Sequence, residues 1–258
     1  MAAKPIHVRG RVLGGNLPLI IMPLVGKTGD EVLSELVDVL AKKPDIVEWR
    51  ADFFRDIDKL AAVVDLARRI KSTAAHVPLL FTIRSAAEGG QKISITEDRI
   101  VDLHEAVCCE AAVDIVDFEL RNSIERLNRV REVSRTAGTT MIMSYHNFQE
   151  TPARHTLIET FAQAAQHGAD VAKIAVMPRG LEDVLTLLAA TLQASDSLSL
   201  PLISMSMGNQ GALSRIVGSS FGSSATFAVG ANSSAPGQMP IEELRKAIDA
   251  TRQAMANR

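Results

Sequence analysis

Gly168-Ala-Asp170-Val-Ala-Lys173-Ile-Ala-Val-Met177-Pro178 reads as a short strand with no solvated face. Strand alternation puts Ala172, Ile174 and Val176 on one side and Val171, Lys173, Ala175 and Met177 on the other. A strand apolar on both faces belongs to a parallel sheet covered on both sides. The lysine in its middle is then removed from water. A charge there costs several kcal/mol unless it is paired or the amine gives up its proton. A desolvated amine is what Schiff-base chemistry needs, because only the neutral form attacks a carbonyl. Taken alone, the segment fits a strand-end lysine snorkelling into water more simply. The neighbouring strands decide between the two.

Apolar runs of strand length recur at about 18–25, 45–50, 78–84, 113–120, 139–145, 170–177, 201–207 and 225–230. Helix-like segments with recognisable ends lie between them. Thr28-Gly-Asp-Glu31 is a capping box opening 29–42. Asp56 to Lys71 carries Leu60, Val63, Val64 and Ala67 at helical spacing. Thr96 starts 97–111, and Asn122 or Ser123 starts the next helix. Thr151-Pro152 reads as an N-cap with proline in the first turn, and Gly168 closes that helix. Residues 181–194 form the next helix, Leu213 to Gly218 a short extra turn, and Pro240 starts the last helix. Eight strands alternating with helices in 258 residues predict a (β/α)₈ barrel. An open doubly wound sheet is the alternative, but Val25-Gly-Lys-Thr-Gly29 has neither P-loop nor dinucleotide-loop spacing. Residues 6–14 alternate around a glycine and predict a short N-terminal β-hairpin. No Gly/Ser/Pro-rich linker or internal repeat is evident. The expectation is one barrel domain over 1–258, with 1–16 as its hairpin extension.

Composition narrows the function classes. The hydrophobic share is 47%, with one Trp and one Tyr, so the core must be mostly Ala, Leu, Val and Ile. A net charge of −2 with no block of like charges speaks against a nucleic-acid partner or a membrane surface. No run approaches the ~18 apolar residues of a spanning helix, and the first residues lack a signal-peptide core. Cys108 and Cys109 are adjacent, with no other cysteine to pair with. That disfavours a disulfide framework and a cysteine metal site, and predicts the cytoplasm.

The strands' polar residues are the informative ones, because active sites of such barrels lie at the C-terminal strand ends. Glu48 and Arg50 share one face of the second run. The third ends in Arg84 followed by Ser-Ala-Ala-Glu88-Gly-Gly. Asp117 and Glu119 share a face of the fourth, His146 ends the fifth, and Lys173 sits in the sixth. Arg215 lies in the loop beyond the seventh. Singly, each could be structural: a salt bridge, a hydrogen-bonded histidine, an anchor between chains. The five other histidines (7, 76, 104, 155 and 167) read as solvated. Together, five of eight strands carry a buried-type charge near the same end, which independent accidents explain poorly. One amine, one imidazole, carboxylates and at least three arginines suit an anionic substrate with a carbonyl. Arginines grip a carboxylate bidentately, and their field favours the neutral amine. The imidazole is placed to move protons. The residues thus predict a class I lyase or aldolase; Asp/Glu pairs late in strands could still hold Mg²⁺, though the arginines argue against it.

The assembled motifs resemble type I 3-dehydroquinate dehydratases. The resemblance runs from the first strand to Gln238. It rests on Glu48-Trp-Arg50, Phe81-Thr-Ile-Arg84-Ser-Ala-Ala-Glu88-Gly-Gly, Met143-Ser-Tyr-His146, Ala169 to Pro178, Met205-Ser-Met207 and Ser234-Ala-Pro-Gly-Gln238. It implies a homodimer of (β/α)₈ barrels that, with no metal or organic cofactor, converts 3-dehydroquinate to 3-dehydroshikimate by syn elimination of water. Lys173 would form the imine, His146 act as general acid and base, and Glu88 orient and tune it, with Asp117 in a similar role. Arg215 would bind the substrate carboxylate. Glu48, Arg50, Arg84, Ser234 and Gln238 would hold the hydroxyls and the imine region, with 234–238 in a closing loop. Two positions depart from the pattern. Pro23 stands where several family members have serine, and Asn147 where aspartate is common. A class I aldolase, and a barrel that binds a shikimate-like acid without turnover, are the competing readings.

Overall fold

The computed structural model describes residues 5–230 and 234–256. A hairpin of β1 (Ile6–Val8) and β2 (Arg11–Leu13) comes first. Arg9 and Gly10 at its tip both have positive φ, the geometry that suits the twist of a two-residue turn. Eight strand–helix units follow. They are β3 (Leu19–Leu24) and α1 (Gly29–Ala41), β4 (Ile46–Arg50) and α2 (Leu60–Ala74), β5 (Leu79–Thr82) and α3 (Glu97–Cys109), β6 (Ile115–Glu119) and α4 (Ile124–Ala137). Then come β7 (Thr140–Asn147) and α5 (Arg154–Gln166), β8 (Val171–Val176) and α6 (Leu181–Ser197), β9 (Leu202–Ser206) and α7 (Gly208–Val217), β10 (Ala225–Phe227) and α8 (Ile241–Ala256). The strands are parallel, in the order β10-β3-β4-β5-β6-β7-β8-β9. A parallel bridge between Leu202 and Ser223, with Ser224 N–H donating to Leu202 O at 2.7 Å, joins the two ends and closes the barrel.

Every residue of β3, β4, β5, β6, β8 and β9 is buried, as the unsolvated sequence runs require. Outward residues such as Trp49, Phe81, Phe118, Met143 and Ile174 pack under the helices. Inward residues form layers. Ile46, Leu80, Ile115, Ile142, Val171 and Ile203 fill the lower barrel. Two residues further along each strand stand Glu48, Thr82, Asp117, Ser144, Lys173 and Met205. Two further still stand Arg50, Arg84, Glu119, His146, Ala175 and Met207. The period of two thus converts an apolar floor into a polar mouth at the C-terminal ends.

Three aspartates brace the opposite end. Asp45, Asp114 and Asp170 each precede an even-numbered strand and accept the backbone N–H of Ile20, Leu79 and Met141, at 2.8–2.9 Å, on or beside the strand before. Each also pairs with an arginine: Arg11 on Asp45, Arg9 on Asp114, Arg131 on Asp170. The hairpin therefore docks on two of the three, with Val8 and Leu13 buried below the floor. Each such side chain contributes about 1.5–3 kcal/mol on burial. This recurrence lies in the hydrogen bonding and leaves no repeat visible in the sequence.

Thr28, Thr96 and Ser123 cap α1, α3 and α4. The Glu31 carboxylate accepts from Lys27 N, one residue before the cap, so the expected box closes one position early. Other expectations need correction. Helix α2 begins at Leu60, after turns spanning the Asp56 region. Thr151 does not cap α5: its hydroxyl donates to Met177 O, and Ala153 is the N-cap. Leu213 to Gly218 is no extra turn, since residues 208–217 form the seventh barrel helix. His104, expected in solvent, is fully buried.

Candidate active site

All nine residues singled out from the sequence line one cavity at the barrel mouth: Lys173, His146, Glu88, Glu48, Arg50, Arg84, Arg215, Ser234 and Gln238. Lys173 stands deep in it. Its Nζ donates to Asp117 Oδ2 at 2.9 Å and lies 4.7 Å from the centre of the Phe227 ring. The side chain is buried, so the snorkelling alternative fails. Asp117 Oδ1 accepts from Arg84 Nη2 at 2.6 Å and from the Ser144 hydroxyl at 2.5 Å. Burial alone would raise this carboxyl, but Arg84 and Lys173 hold it far below the usual carboxylate range. Arg84 also binds Glu119 at 3.1 Å and lies 3.6 Å from Glu88.

Glu88 sits on a 3₁₀ turn, Ala86–Glu88, whose exit requires two glycines. Gly89 is left-handed, and a Cβ there would enter the Phe148 ring; one on Gly90 would strike the Arg84 carbonyl. The turn thereby folds back over Arg84 and aims the carboxylate at β7. Glu88 Oε2 lies 2.9 Å from His146 Nδ1 and accepts the His146 backbone N–H at 3.1 Å. Nδ1 is thus engaged, and Nε2 is the ring nitrogen left for a substrate. Burial, and then the charges of Arg84 and Lys173, push the His146 pKa well below the ordinary value. Burial and repulsion by Glu119 push Glu88 up, to about 8.

Glu48 accepts from the Thr82 hydroxyl at 2.9 Å. Arg50 grips Asp52 bidentately at 2.8 and 2.9 Å and reaches Ser234 O at 3.4 Å. Arg215, in α7 and not a loop, donates to Pro236 O at 3.0 Å and to Phe227 O at 3.4 Å. Its Nε has no partner, and among the described residues no carboxylate pairs with it. The side chain is 2% exposed, and burial lowers its pKa to about 10. Ser234 and Gln238 bind each other twice at 3.0 Å. With Arg50 and Arg215 below them, they close one side of the cavity. Residues 231–233, which precede the expected closing loop, lie outside the described residues. Pro23 stands opposite Glu48 in the ladder but does not line the cavity. Asn147 turns away, its Oδ1 capping Gln149 N and Glu150 N.

Several working residues escaped the sequence reading. Asp52 fixes Arg50 and also accepts from Arg84 N and Gln91 N, anchoring both ends of the Glu88 loop. Ser144 bridges Arg84 and Asp117. The signal for Asp52 was its place two residues after Arg50; Ser144 showed only as a hydroxyl among apolar residues. Among the described residues no group of three or more His, Cys, Asp or Glu side chains could hold a metal ion, and no helix is long and apolar enough to cross a membrane.

The family model of type I 3-dehydroquinase matches residues 20–255. A 3-dehydroquinate dehydratase of Albidiferax ferrireducens is 51% identical over 99% of this chain and 97% of its own length. One from Geobacillus thermodenitrificans is 48% identical over 94% of each. The crystal structure of the Geobacillus kaustophilus 3-dehydroquinate dehydratase superposes with a TM-score of 0.96 at 45% identity, covering 98% of both chains. The type I enzyme of Clostridium difficile, solved with covalently modified comenic acid, superposes with a TM-score of 0.94 at 32% identity, covering 98% of this chain and 100% of that one. With the barrel, the cavity and these relatives in agreement, the chain belongs to the type I 3-dehydroquinase family, whose members are hydro-lyases acting as 3-dehydroquinate dehydratases.

Proposed function

We propose that this chain dehydrates 3-dehydroquinate through an imine on Lys173, with His146 moving the protons. One observation carries the reading: a buried amine faces a cavity whose arginine, Arg215, is buried without a carboxylate partner. A desolvated guanidinium left unpaired is strongly unfavourable, and a bidentate substrate carboxylate relieves that cost. The carboxylate on Arg215 directs the C3 ketone toward Lys173. Attack by the neutral amine, and departure of the carbonyl oxygen as water on a proton delivered by His146, give a protonated imine beside Asp117, which keeps the counter-ion role it has toward the ammonium. The iminium draws electrons from C2, so a moderate base suffices. His146 Nε2 takes the C2 proton and passes it to the departing C1 hydroxyl, which leaves as water. Hydrolysis of the conjugated imine restores Lys173 and releases 3-dehydroshikimate. Glu48 and Arg50 hold hydroxyls, and the 234–238 segment excludes water from the intermediate. The Clostridium difficile relative was solved with covalently modified comenic acid, which supports covalent chemistry in the family. A cytoplasmic homodimer belongs to the same reading.

Borohydride reduction in the presence of 3-dehydroquinate, with peptide mass mapping, tests it directly. The expected result is a reduced adduct on the peptide containing Lys173. Full turnover with no such adduct sinks the imine route.

A pH prediction follows from the Glu88–His146 pair, which titrates as a unit. Below about pH 8 the pair keeps the Glu88 proton, shared with Nδ1. The ring's own hydrogen then sits on Nε2, where the base is needed. Above it the carboxylate accepts from Nδ1–H and Nε2 is free. The elimination rate is expected to rise through an inflection near pH 8, and Glu88→Gln to abolish that inflection. A Gln variant with an unchanged inflection assigns it elsewhere.

A further inference from the structure

Asp117 is gripped from both faces of the barrel. From inside, its carboxylate holds Lys173, Arg84 and Ser144. From outside, His104 of α3 reaches its peptide: Nε2 lies 3.2 Å from Asp117 O, while Nδ1 lies 2.7 Å from Ile100 O. The imidazole is 0% exposed and stands edge-on between Phe81 (5.3 Å) and Phe118 (5.0 Å). Leucine would fill such an apolar slot at no desolvation cost, so a polar ring there needs a polar task. Its two nitrogens face two carbonyls, and the neutral ring has a single N–H, so it donates to one of them only. Asp117 O is the point where helix α3 touches the counter-ion of the amine.

We propose that His104 is a positioning residue: donating from Nε2 to the Asp117 carbonyl, it fixes the Asp117 peptide and thereby the place of the Lys173 amine. The proposal rests on the imine reading above. Burial lowers the pKa of the ring, and the two carbonyls with the charges of Asp117 and Glu119 oppose that effect.

The test uses two variants of the full chain. His104→Phe keeps the ring-on-ring packing and removes both polar contacts; His104→Gln keeps a donor of similar reach. For His104→Phe, kcat and the rate of borohydride-trapped adduct formation are expected to fall together by about tenfold or more, as sub-ångström misplacement of a nucleophile does. KM should stay near the parent value, since Arg215 is untouched, and His104→Gln should recover most of the rate. A structural role alone would lower the melting temperature of both variants and leave kcat and trapping rate unchanged, which overturns the proposal. Should His104→Phe fail to fold, NMR of isotope-labelled histidine nitrogens in the parent enzyme decides. A proton-bearing Nε2 that shifts when the adduct is trapped supports the proposal, and a bare Nε2 or an unmoved resonance overturns it. Absence of any adduct in the parent enzyme would instead remove the imine reading itself.

Discussion

Replacing Lys173 with alanine is expected to abolish turnover, lowering kcat by on the order of 10⁵–10⁶, the scale seen when a covalent nucleophile is removed. The barrel should stay folded. Breaking a buried ion pair outright costs about 3–5 kcal/mol because it strands a charge. Here Asp117 keeps Arg84 at 2.6 Å and Ser144 at 2.5 Å, so it is not stranded and the loss should lie below that range. Substrate binding should survive as well, because Arg215, Glu48 and Arg50 are held by Pro236, Thr82 and Asp52. The variant is thus expected to bind 3-dehydroquinate, take up no label from borohydride and melt cooperatively. Product formation is followed by the absorbance of the conjugated enone. Retention of more than about a hundredth of the parent kcat would be incompatible with an obligatory imine.

The reach of the sequence follows from what the period of two encodes. Once 170–177 is taken as a strand buried on both faces, the register of β8 puts Lys173 inside, and the same counting puts Glu48, Asp117 and His146 inside on their own strands. Local spacing therefore discloses the site's contents and its end of the barrel. It does not disclose pairings across the fold. Glu88 meets His146 from 58 positions away, and Asp117 meets Lys173 from 56. His104 reads as a solvated helix residue because one helical position says nothing about the strand carbonyl behind it. Arg215 reads as a loop residue because its helix opens with Gly208-Asn-Gln-Gly211, a weak helical signal. Gly211 is there for packing: a Cβ would strike the Ser206 carbonyl, so close approach of α7 to β9 overrides propensity. The three aspartates under the barrel are invisible for the same reason as the ion pairs, since their partners are backbone N–H groups of other strands.

Replacing His146 with alanine separates proton transfer from imine formation. Removing a positioned acid–base group typically costs 10²–10⁴-fold, and in the proposed mechanism His146 serves both the C2 proton and the departing hydroxyl, so a kcat loss toward the upper end, about 10⁴, is expected. The amine remains in place: Lys173 is held by Asp117 and lies over Phe227, neither of which depends on the imidazole. An imine with 3-dehydroquinate should therefore still form, more slowly, and accumulate because elimination and hydrolysis are both impaired. Mass spectrometry of the variant mixed with substrate should detect the adduct on Lys173 even before reduction. Glu88 loses its Nδ1 partner but keeps Arg84 at 3.6 Å, and its backbone contact at position 146 survives the substitution. The inflection near pH 8 should disappear with the ring. A variant that turns over near the parent rate would move the acid–base role to another side chain. Glu88 would then be the first candidate, because its carboxyl, with a pKa of about 8, lines the same cavity as Lys173.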